Sequence, residues 1–207
     1  MPNLLKTLRT EPVLADGAMG SYLFWRTGRL SEKNHLYEAF NIDQPELIKE
    51  VHSAYLRAGS RCLTTNTFGA NSATLERYDE GHRVEEINRD GVRLVRSALE
   101  KFLEVLGKEQ DYFVLGSVGP AATGFQGRDT LGEVYCRQLS ALLDEGVDAL
   151  LLETFASLEE VEGLVDLISS EYPEHPPVIV EMALSRSANQ TKWSVNPKEF
   201  VTRVVQA

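Results

Sequence analysis

The feature that most constrains this chain of 207 residues is a repeated switch from a short apolar run to small, polar or acidic residues. A helix-like stretch follows each switch. The runs end before Asp16, Asn66, Ser117, Glu153 and Glu181. Strands that alternate with helices, without hairpin signals, predict a parallel sheet with helical crossovers, so the expected fold class is α/β. In such arrays the carboxyl ends of the strands form the functional face, which places all five switches on one side.

Five helices are predicted around these runs, at residues 45–59, 84–106, 131–145, 157–168 and 197–206. Apolar residues recur at helical spacing in the first four. Pro45 stands in the first turn of the first helix and Gly59 ends it. Ser157 followed by Glu160 is typical of a capping box, whereas Gly91 lies in a helix interior, where glycine is unfavourable.

Periodicity alone leaves two architectures open, a (β/α)₈ barrel and an open doubly wound sheet. The turn at residues 16–20 matches neither GxGxxG nor a P-loop, the fingerprints that would favour the open sheet. We expect a single domain over residues 1–207, because no linker or low-complexity segment divides the chain.

Composition narrows the class of ligand. A formal net charge of −10 disfavours nucleic acid and anionic membranes, which need clustered Lys and Arg, and favours a small molecule. Apolar runs stay well short of the roughly 18 residues that span a bilayer, and the N-terminus lacks the apolar core of a signal peptide. We therefore expect a cytoplasmic protein without a membrane partner.

Metal-binding and nucleophilic patterns are not apparent in the sequence. Cys62 falls in a predicted strand and Cys136 in a predicted helix, so both are expected to be small packing residues. The histidines lie in predicted loops or helices and are expected at the surface; they are His35, His52, His82 and His175. The residues alone therefore predict neither a metal triad nor a Ser-His-Asp or Cys-His arrangement.

Asp16 and Glu153 are the principal candidate binding residues, because each directly follows an apolar strand at the functional face. Two carboxylates suit a ligand ammonium, and the backbone N–H groups of the turn after Asp16 suit a ligand carboxylate, so together they describe an amino-acid site. That turn consists of Gly17, Ala18, Met19 and Gly20. The alternative is that Asp16 caps a turn and Glu153 forms a local salt bridge.

Asn66 and Thr67 end the second run with an amide and a hydroxyl that could orient a ligand, although turn formation explains them equally simply. The small residues at 116–120 suggest an open pocket floor after the third run. Glu181 and Met182 are neighbours on a strand and point to opposite faces, so at most one of them lines the interior.

Five segments, taken together and in order, resemble the homocysteine S-methyltransferases; they are residues 16–21, 45–59, 65–71, 116–120 and 146–154. This family includes betaine–homocysteine methyltransferase and the homocysteine domain of cobalamin-dependent methionine synthase. The resemblance implies a (β/α)₈ barrel of which this chain carries about five βα units. It also implies that Asp16 and Glu153 hold the amino group of homocysteine. The amides of the turn from Gly17 to Gly20 would receive its carboxylate, and Asn66 and Thr67 would line the site.

The resemblance further implies a zinc ion, held by cysteine thiolates, that binds the homocysteine sulfur and favours the thiolate that attacks a methyl donor. The family cysteines would follow the sixth strand and stand near the end of the barrel, and Cys62 and Cys136 match neither place. The expected role is therefore the amino-acid-binding part of a methyltransferase that forms methionine, without the zinc ligands.

Two other functions remain open at this point. One is a non-catalytic module that binds homocysteine or another amino acid. The other is a different barrel enzyme that uses Asp16 or Glu153 as a general acid or base, which requires a pKa raised by burial. The unpaired edges of an incomplete barrel should be covered by a complementary polypeptide or by self-association, unless the chain is a truncated piece of a longer protein. The resemblance does not specify the methyl donor.

Overall fold

The computed structural model describes residues 3–28, 36–107, 110–124, 126–184 and 196–206. Within these ranges, four parallel strands form one sheet in sequence order. The strands are β1 (Cys62–Thr64), β2 (Phe113–Val118), β3 (Ala149–Phe155) and β4 (Val178–Met182). Helices join each strand to the next, so the α/β class is confirmed, and the arrangement is that of a partial (β/α)₈ barrel.

Helices form one layer outside this sheet, and other helices make up the segment of the chain that precedes it. Those before β1 are α1 (Leu4–Leu8), α2 (Met19–Thr27), α3 (Phe40–Asp43) and α4 (Pro45–Arg57). Those after β1 are α5 (Ser72–Glu76), α6 (Val84–Leu106), α7 (Leu131–Asp144), α8 (Leu158–Glu171) and α9 (Pro197–Gln206). Short 3₁₀ turns lie at Tyr37–Ala39, Gly81–Arg83 and Arg128–Thr130. The five predicted helices are confirmed as α4, α6, α7, α8 and α9.

The predicted signals at both ends of α4 and at the start of α8 are also confirmed, whereas α8 runs on to Glu171, beyond the predicted residue 168. Pro45 opens α4, and Gly59 follows the end of that helix with φ +98°, a left-handed conformation that glycine adopts without strain. At α8, the Ser157 hydroxyl accepts a hydrogen bond from the Glu160 backbone N–H at 3.2 Å. These local signals fix where the connecting helices begin and end, and therefore where the strand-end loops lie.

The prediction of a first strand at residues 13–15 is wrong. This segment pairs with β1 through a single parallel bridge, between Ala15 and Cys62. The backbone N–H of Asp16 still donates to the Cys62 carbonyl at 2.9 Å, and the Cys62 N–H donates to the Leu14 carbonyl at 3.1 Å. The neighbouring β1 has three residues, which offers too short a ladder to extend the pairing further.

Side chains alternate between the two faces of the sheet, as the pleat requires. On the outer face, strand residues such as Leu63, Val114 and Leu150 join the largest buried cluster, together with residues of the surrounding helices. On the inner face, Phe113 and Leu151 belong to a smaller cluster that also contains Leu4, Cys62, Leu115 and Ala149. Helix α1 therefore covers part of the inner face, and the strand ends beyond it remain open.

The expectation that the histidines lie at the surface is wrong for His52, which is fully buried on α4. The buried stripe of this helix runs through Ile48, Val51 and Leu56, and helical spacing places His52 within it. Burial lowers the pKa of His52 to about 4, so its ring is neutral at pH 7. His82 is exposed, and His35 lies outside the described residues. In the described ranges, no helix is both long enough and apolar enough to cross a membrane.

Candidate functional site

A cavity of about 720 Å³ lies on the inner face of the sheet, where the strands end. Its apolar walls include Leu4, Leu8, Val13, Leu115, Leu151 and Ile179. Its polar lining includes Asp16, Glu38, Thr64, Asn66, Ser117, Glu153 and Glu181. The inward-pointing residues of β1, β2, β3 and β4 thus change from apolar to polar along each strand, and the polar end faces the loops.

Asp16 enters this cavity from the segment that bridges to β1. Its Oδ2 accepts a hydrogen bond from the Thr64 backbone N–H at 2.9 Å, which fixes the side chain against the end of β1. Burial raises the pKa of Asp16 to about 6, the negative charge of Glu153 adds to the rise, and the hydrogen bonds from Thr64 oppose it. A cationic group in the cavity would therefore be strongly favoured beside the ionised form.

Glu153 enters the same cavity from the end of β3. Its Oε1 accepts a hydrogen bond from the Ser117 hydroxyl at 2.6 Å. Burial raises the pKa of Glu153, the hydrogen bond from Ser117 opposes the rise, and the charge of Glu181 adds to it. The next residue, Thr154, has φ +67°, and the register of β3 against β4 shifts between Leu152 and Phe155. The regular ladder is therefore interrupted at Glu153 and Thr154 and resumes where Phe155 pairs with Met182.

The turn after Asp16 leads directly into α2. Ala18 is the N-cap residue and makes no side-chain cap, so the first backbone N–H groups of α2, which begins at Met19, have no side-chain acceptor at this cap. Gly17 packs against Tyr55, where an added Cβ would lie 2.9 Å from the tyrosine oxygen, and the Tyr55 hydroxyl donates to the Ala18 carbonyl at 3.1 Å. All four residues from Gly17 to Gly20 line the cavity, so this helix N-terminus can receive an anion there.

Asn66 and Thr67 play different parts at the end of β1. Asn66 lines the cavity, while its amide donates to the Tyr37 carbonyl at 2.7 Å and to Asn41 Oδ1 at 2.9 Å. Thr67 is fully buried outside the cavity lining, and its hydroxyl donates to the Ser117 carbonyl at 2.8 Å. The structure therefore brings Asn66 to Asp16 and Glu153, and places Thr67 in the support behind them.

Two contributors to the cavity escaped the sequence analysis as individual residues. Glu38 is buried in a 3₁₀ turn, and its Oε1 accepts from the Gly69 backbone N–H at 2.6 Å; burial raises its pKa. Its position in an irregular segment gave no periodic signal. Ser117 was noted only as the residue that follows the third run, although a hydroxyl at a strand end could have been identified as a hydrogen-bond donor to the cavity. The prediction that at most one of Glu181 and Met182 lines the interior is confirmed on β4, since Glu181 lines the cavity while Met182 packs on the outer core.

The described residues do not fit a zinc site. Within them, no group of three or more His, Cys, Asp or Glu side chains is arranged to hold a metal ion. Cys62 lines the cavity, but burial, with a smaller contribution from the charge of Asp16, raises the pKa of its thiol to about 11, so the thiol stays protonated at neutral pH. Cys136 lies on α7, apart from the cavity lining.

The geometry defines a class of protein, a partial parallel barrel with an acidic cavity at its strand ends, and comparison with known proteins assigns the family. The sequence profile of the homocysteine S-methyltransferases matches residues 13–207, and the chain belongs to this family.

Individual relatives agree with this assignment. The chain is 34% identical to a homocysteine S-methyltransferase of Escherichia coli over 179 residues, which are 80% of this chain and 56% of that protein. It is 29% identical to a methionine synthase of Mycobacterium tuberculosis over 170 residues, which are 79% of this chain and 14% of that protein. The chain thus spans only part of the length of these relatives.

Solved structures show the same fold. The metallated form of the homocysteine methyltransferase MmuM from E. coli superposes with a TM-score of 0.81 at 26% identity, covering 96% of this chain and 72% of MmuM. The oxidized form of MmuM superposes with a TM-score of 0.76 at 28% identity, covering 85% of this chain and 64% of MmuM.

Proposed function

We propose that this chain is the amino-acid-binding part of a homocysteine S-methyltransferase, which transfers a methyl group to the homocysteine thiol and forms methionine. The observation that supports this function is the meeting of three elements in one cavity: Asp16, Glu153 and the uncapped N-terminus of α2. An amino acid carries an ammonium and a carboxylate on one carbon, and this cavity offers acceptors for the first beside donors for the second.

In this proposal the carboxylates of Asp16 and Glu153 hold the homocysteine ammonium. The backbone N–H groups from Gly17 to Gly20 receive its carboxylate, because a helix N-terminus favours negative charge. Asn66 contributes a polar wall, and Thr67 supports that wall through its bond to the backbone of β2. The homocysteine side chain then extends away from the charged groups, with its thiol free to react.

We assign any zinc ligands to a position outside the described residues. Metal use in the family is supported by the metallated form of MmuM. When bound, zinc would stabilise the homocysteine thiolate. The contribution of this chain is to bind and orient the amino acid, and residues 1–207 serve as one homocysteine-binding domain. The apolar inner face would be covered by a complementary polypeptide or by a second copy. The methyl donor stays unassigned, and a cytoplasmic location stays a prediction.

The substitution Glu153→Gln tests the ammonium contact, because it keeps the shape of the side chain and removes its charge. We expect homocysteine binding, measured by isothermal titration calorimetry, to weaken by about 1.5 to 3 kcal/mol. Binding of 4-mercaptobutyrate, which lacks the ammonium, should change little. Glu159→Gln, at an exposed position on α8, is the matched control and should leave both ligands unaffected.

The titrations separate the candidate functions. Homocysteine binding without turnover, even with zinc and a complementary polypeptide present, would favour a binding module. Equal affinity of the wild type and Glu153→Gln for homocysteine would remove Glu153 from the site.

The raised pKa of Asp16 favours one second candidate, a barrel enzyme that uses this residue as a general acid or base. That function predicts no heat of binding with homocysteine. It also predicts that Asp16→Asn abolishes turnover of some other substrate without changing the affinity for that substrate. Saturable homocysteine binding by the wild type would exclude this second candidate and leave the methyltransferase role and the binding module, which turnover separates.

A further inference from the structure

We propose that Ser117 is a positioning residue that fixes the Glu153 carboxylate in the cavity and holds it in its charged form. This inference rests on the proposed function, because it explains how one of the two acidic groups is kept ready for the homocysteine ammonium.

Ser117 is itself fixed through all of its polar groups. Its backbone N–H donates to the Thr65 hydroxyl at 3.0 Å, and its carbonyl accepts from the Thr67 hydroxyl at 2.8 Å. The hydroxyls of Thr65 and Thr67 lie 2.6 Å apart. Since the Thr67 proton goes to the Ser117 carbonyl, Thr65 donates to Thr67, and the bonds close a ring. From α7, the Gln138 amide adds a donor to the Thr67 carbonyl at 2.7 Å.

The Ser117 hydroxyl is left with one function, which is to donate to Glu153 Oε1 at 2.6 Å. Ser117 is 1% exposed, so water does not compete for this proton. A short bond from a buried hydroxyl to a carboxylate is among the stronger side-chain hydrogen bonds. The bond uses one lone pair of Oε1, so Oε2 and the second lone pair of Oε1 remain for a ligand ammonium. The serine thus sets the direction in which the side chain presents these acceptors.

The bond also opposes the electrostatics of the cavity. The other ionisable groups that share this lining are Asp16 before α2, Tyr37 and Glu38 in the 3₁₀ turn, Cys62 on β1 and Glu181 on β4. The described lining residues include no Lys, Arg or His. Burial and the charge of Glu181 favour the protonated form of Glu153, which would not attract an ammonium. The proton donated by Ser117 acts in the opposite direction and favours the carboxylate.

The test compares Ser117→Ala with the wild-type chain by carboxyl ¹³C NMR, in which the Glu153 signal is assigned through Glu153→Gln. We expect the titration midpoint of Glu153 to move upward by about one pH unit in Ser117→Ala. Ser140→Ala is the matched control, since the Ser140 hydroxyl bonds to the Tyr172 hydroxyl outside the cavity lining. Its Glu153 midpoint should equal that of the wild type.

Homocysteine titrations between pH 5 and pH 8 provide the second measurement. Affinity should fall by up to about tenfold in Ser117→Ala at pH values below the Glu153 midpoint and should approach that of the wild type at the alkaline end of the range. The loss of binding on acidification should therefore begin at a higher pH. In the Glu153→Gln background, Asp16 still titrates, but Ser117→Ala should no longer move the pH profile, because the carboxyl group that bonds to Ser117 is gone. A change that merely loosened the fold would lower affinity equally at all pH values.

Folding is checked by circular dichroism, and Ser117→Cys, which keeps the size and offers a weaker donor, replaces the alanine variant if that variant unfolds. An unchanged Glu153 midpoint in folded Ser117→Ala or Ser117→Cys would overturn the inference. Failure of the wild type to bind homocysteine would overturn the proposed function, while the NMR titration would still decide the role of Ser117.

Discussion

At the scale of single residues, the cavity keeps carboxyl groups in surroundings that disfavour their charge. Asp16 is the clearest example, because burial raises its pKa to about 6 despite the hydrogen bonds from Thr64. The sequence alone identified Asp16 as a candidate binding residue, since an acid directly after an apolar run is unusual unless it has a partner or a ligand. The burial of His52 could also have been deduced from its helical spacing, whereas that of Glu38 could not, because it depends on how the 3₁₀ turn packs against α3 and α6. Propensity does not encode that packing.

The substitution Asp16→Asn should weaken ligand binding and increase the free energy of unfolding. The pKa of Asp16 rises from 3.8 in its ordinary state to about 6 in the folded chain, so the folded state holds this proton more tightly between those values. Ionisation therefore removes stability as the pH rises from about 4 to about 6. We expect Asp16→Asn to exceed the wild type in unfolding free energy by about 3 kcal/mol at pH 8 and by well under about 1 kcal/mol at pH 4.

Urea unfolding at the two pH values measures this difference, and calorimetry should show that the same variant binds homocysteine more weakly. Asp129→Asn, at an exposed position, serves as the control and should show no pH-dependent gain. A gain of equal size at pH 4 and pH 8 would contradict the buried, proton-binding state of Asp16.

At the scale of elements, the sequence predicted the helices better than the strands. Helices α4, α6, α7 and α8 carry strong apolar periodicity, and local signals mark the start of two of them, Pro45 in α4 and Ser157 before α8. Residues 13–15 looked like a strand because they are apolar, but strand formation depends on a neighbour long enough to pair with. Gly91 was expected only to weaken α6. The structure shows that it allows the helix to approach the loop behind the cavity.

Gly91→Ala is expected to destabilise the protein, although alanine favours helix by about 1 kcal/mol over glycine. A Cβ at this position would lie 2.5 Å from Thr67 Cγ2 and 2.9 Å from Asn41 Nδ2, so one of these supports of the cavity must move. We expect a loss of about 1 to 3 kcal/mol in urea unfolding.

The matched control is Gly132→Ala on α7, where the added Cβ would meet Cys136 Sγ at an ordinary 3.8 Å. That variant should be neutral or more stable by up to about 1 kcal/mol. A stabilising effect of Gly91→Ala would show that α6 does not pack closely against the loop after β1.

At the scale of the whole molecule, the notable feature is an inner face that the described residues cover only in part. Leu4 of α1 is buried against it, whereas Leu8, which lines the same cavity, is 47% exposed. The incomplete barrel could be predicted by counting βα units. The partial cover by α1 could not, because a short helix near a terminus carries too little periodicity to show where it docks.

The exposed part of this face should drive association. We expect the native mass, measured by size-exclusion chromatography with light scattering, to exceed the 23.1 kDa of one chain or a partner to copurify, because apolar surface of this kind gains free energy when it is covered. Leu8→Lys should shift the equilibrium toward the single chain. A mass of 23.1 kDa at every concentration would contradict the prediction.

The ring of bonds around Ser117 has a consequence for how the protein could change. Because Ser117 links the carboxyl ends of β1, β2 and β3 through hydrogen bonds, we expect these three strand ends to move together. Laboratory evolution toward a different amino acid should therefore recover compensating replacements at positions 65, 117 and 153 as a set, and single replacements there should be rare among the survivors.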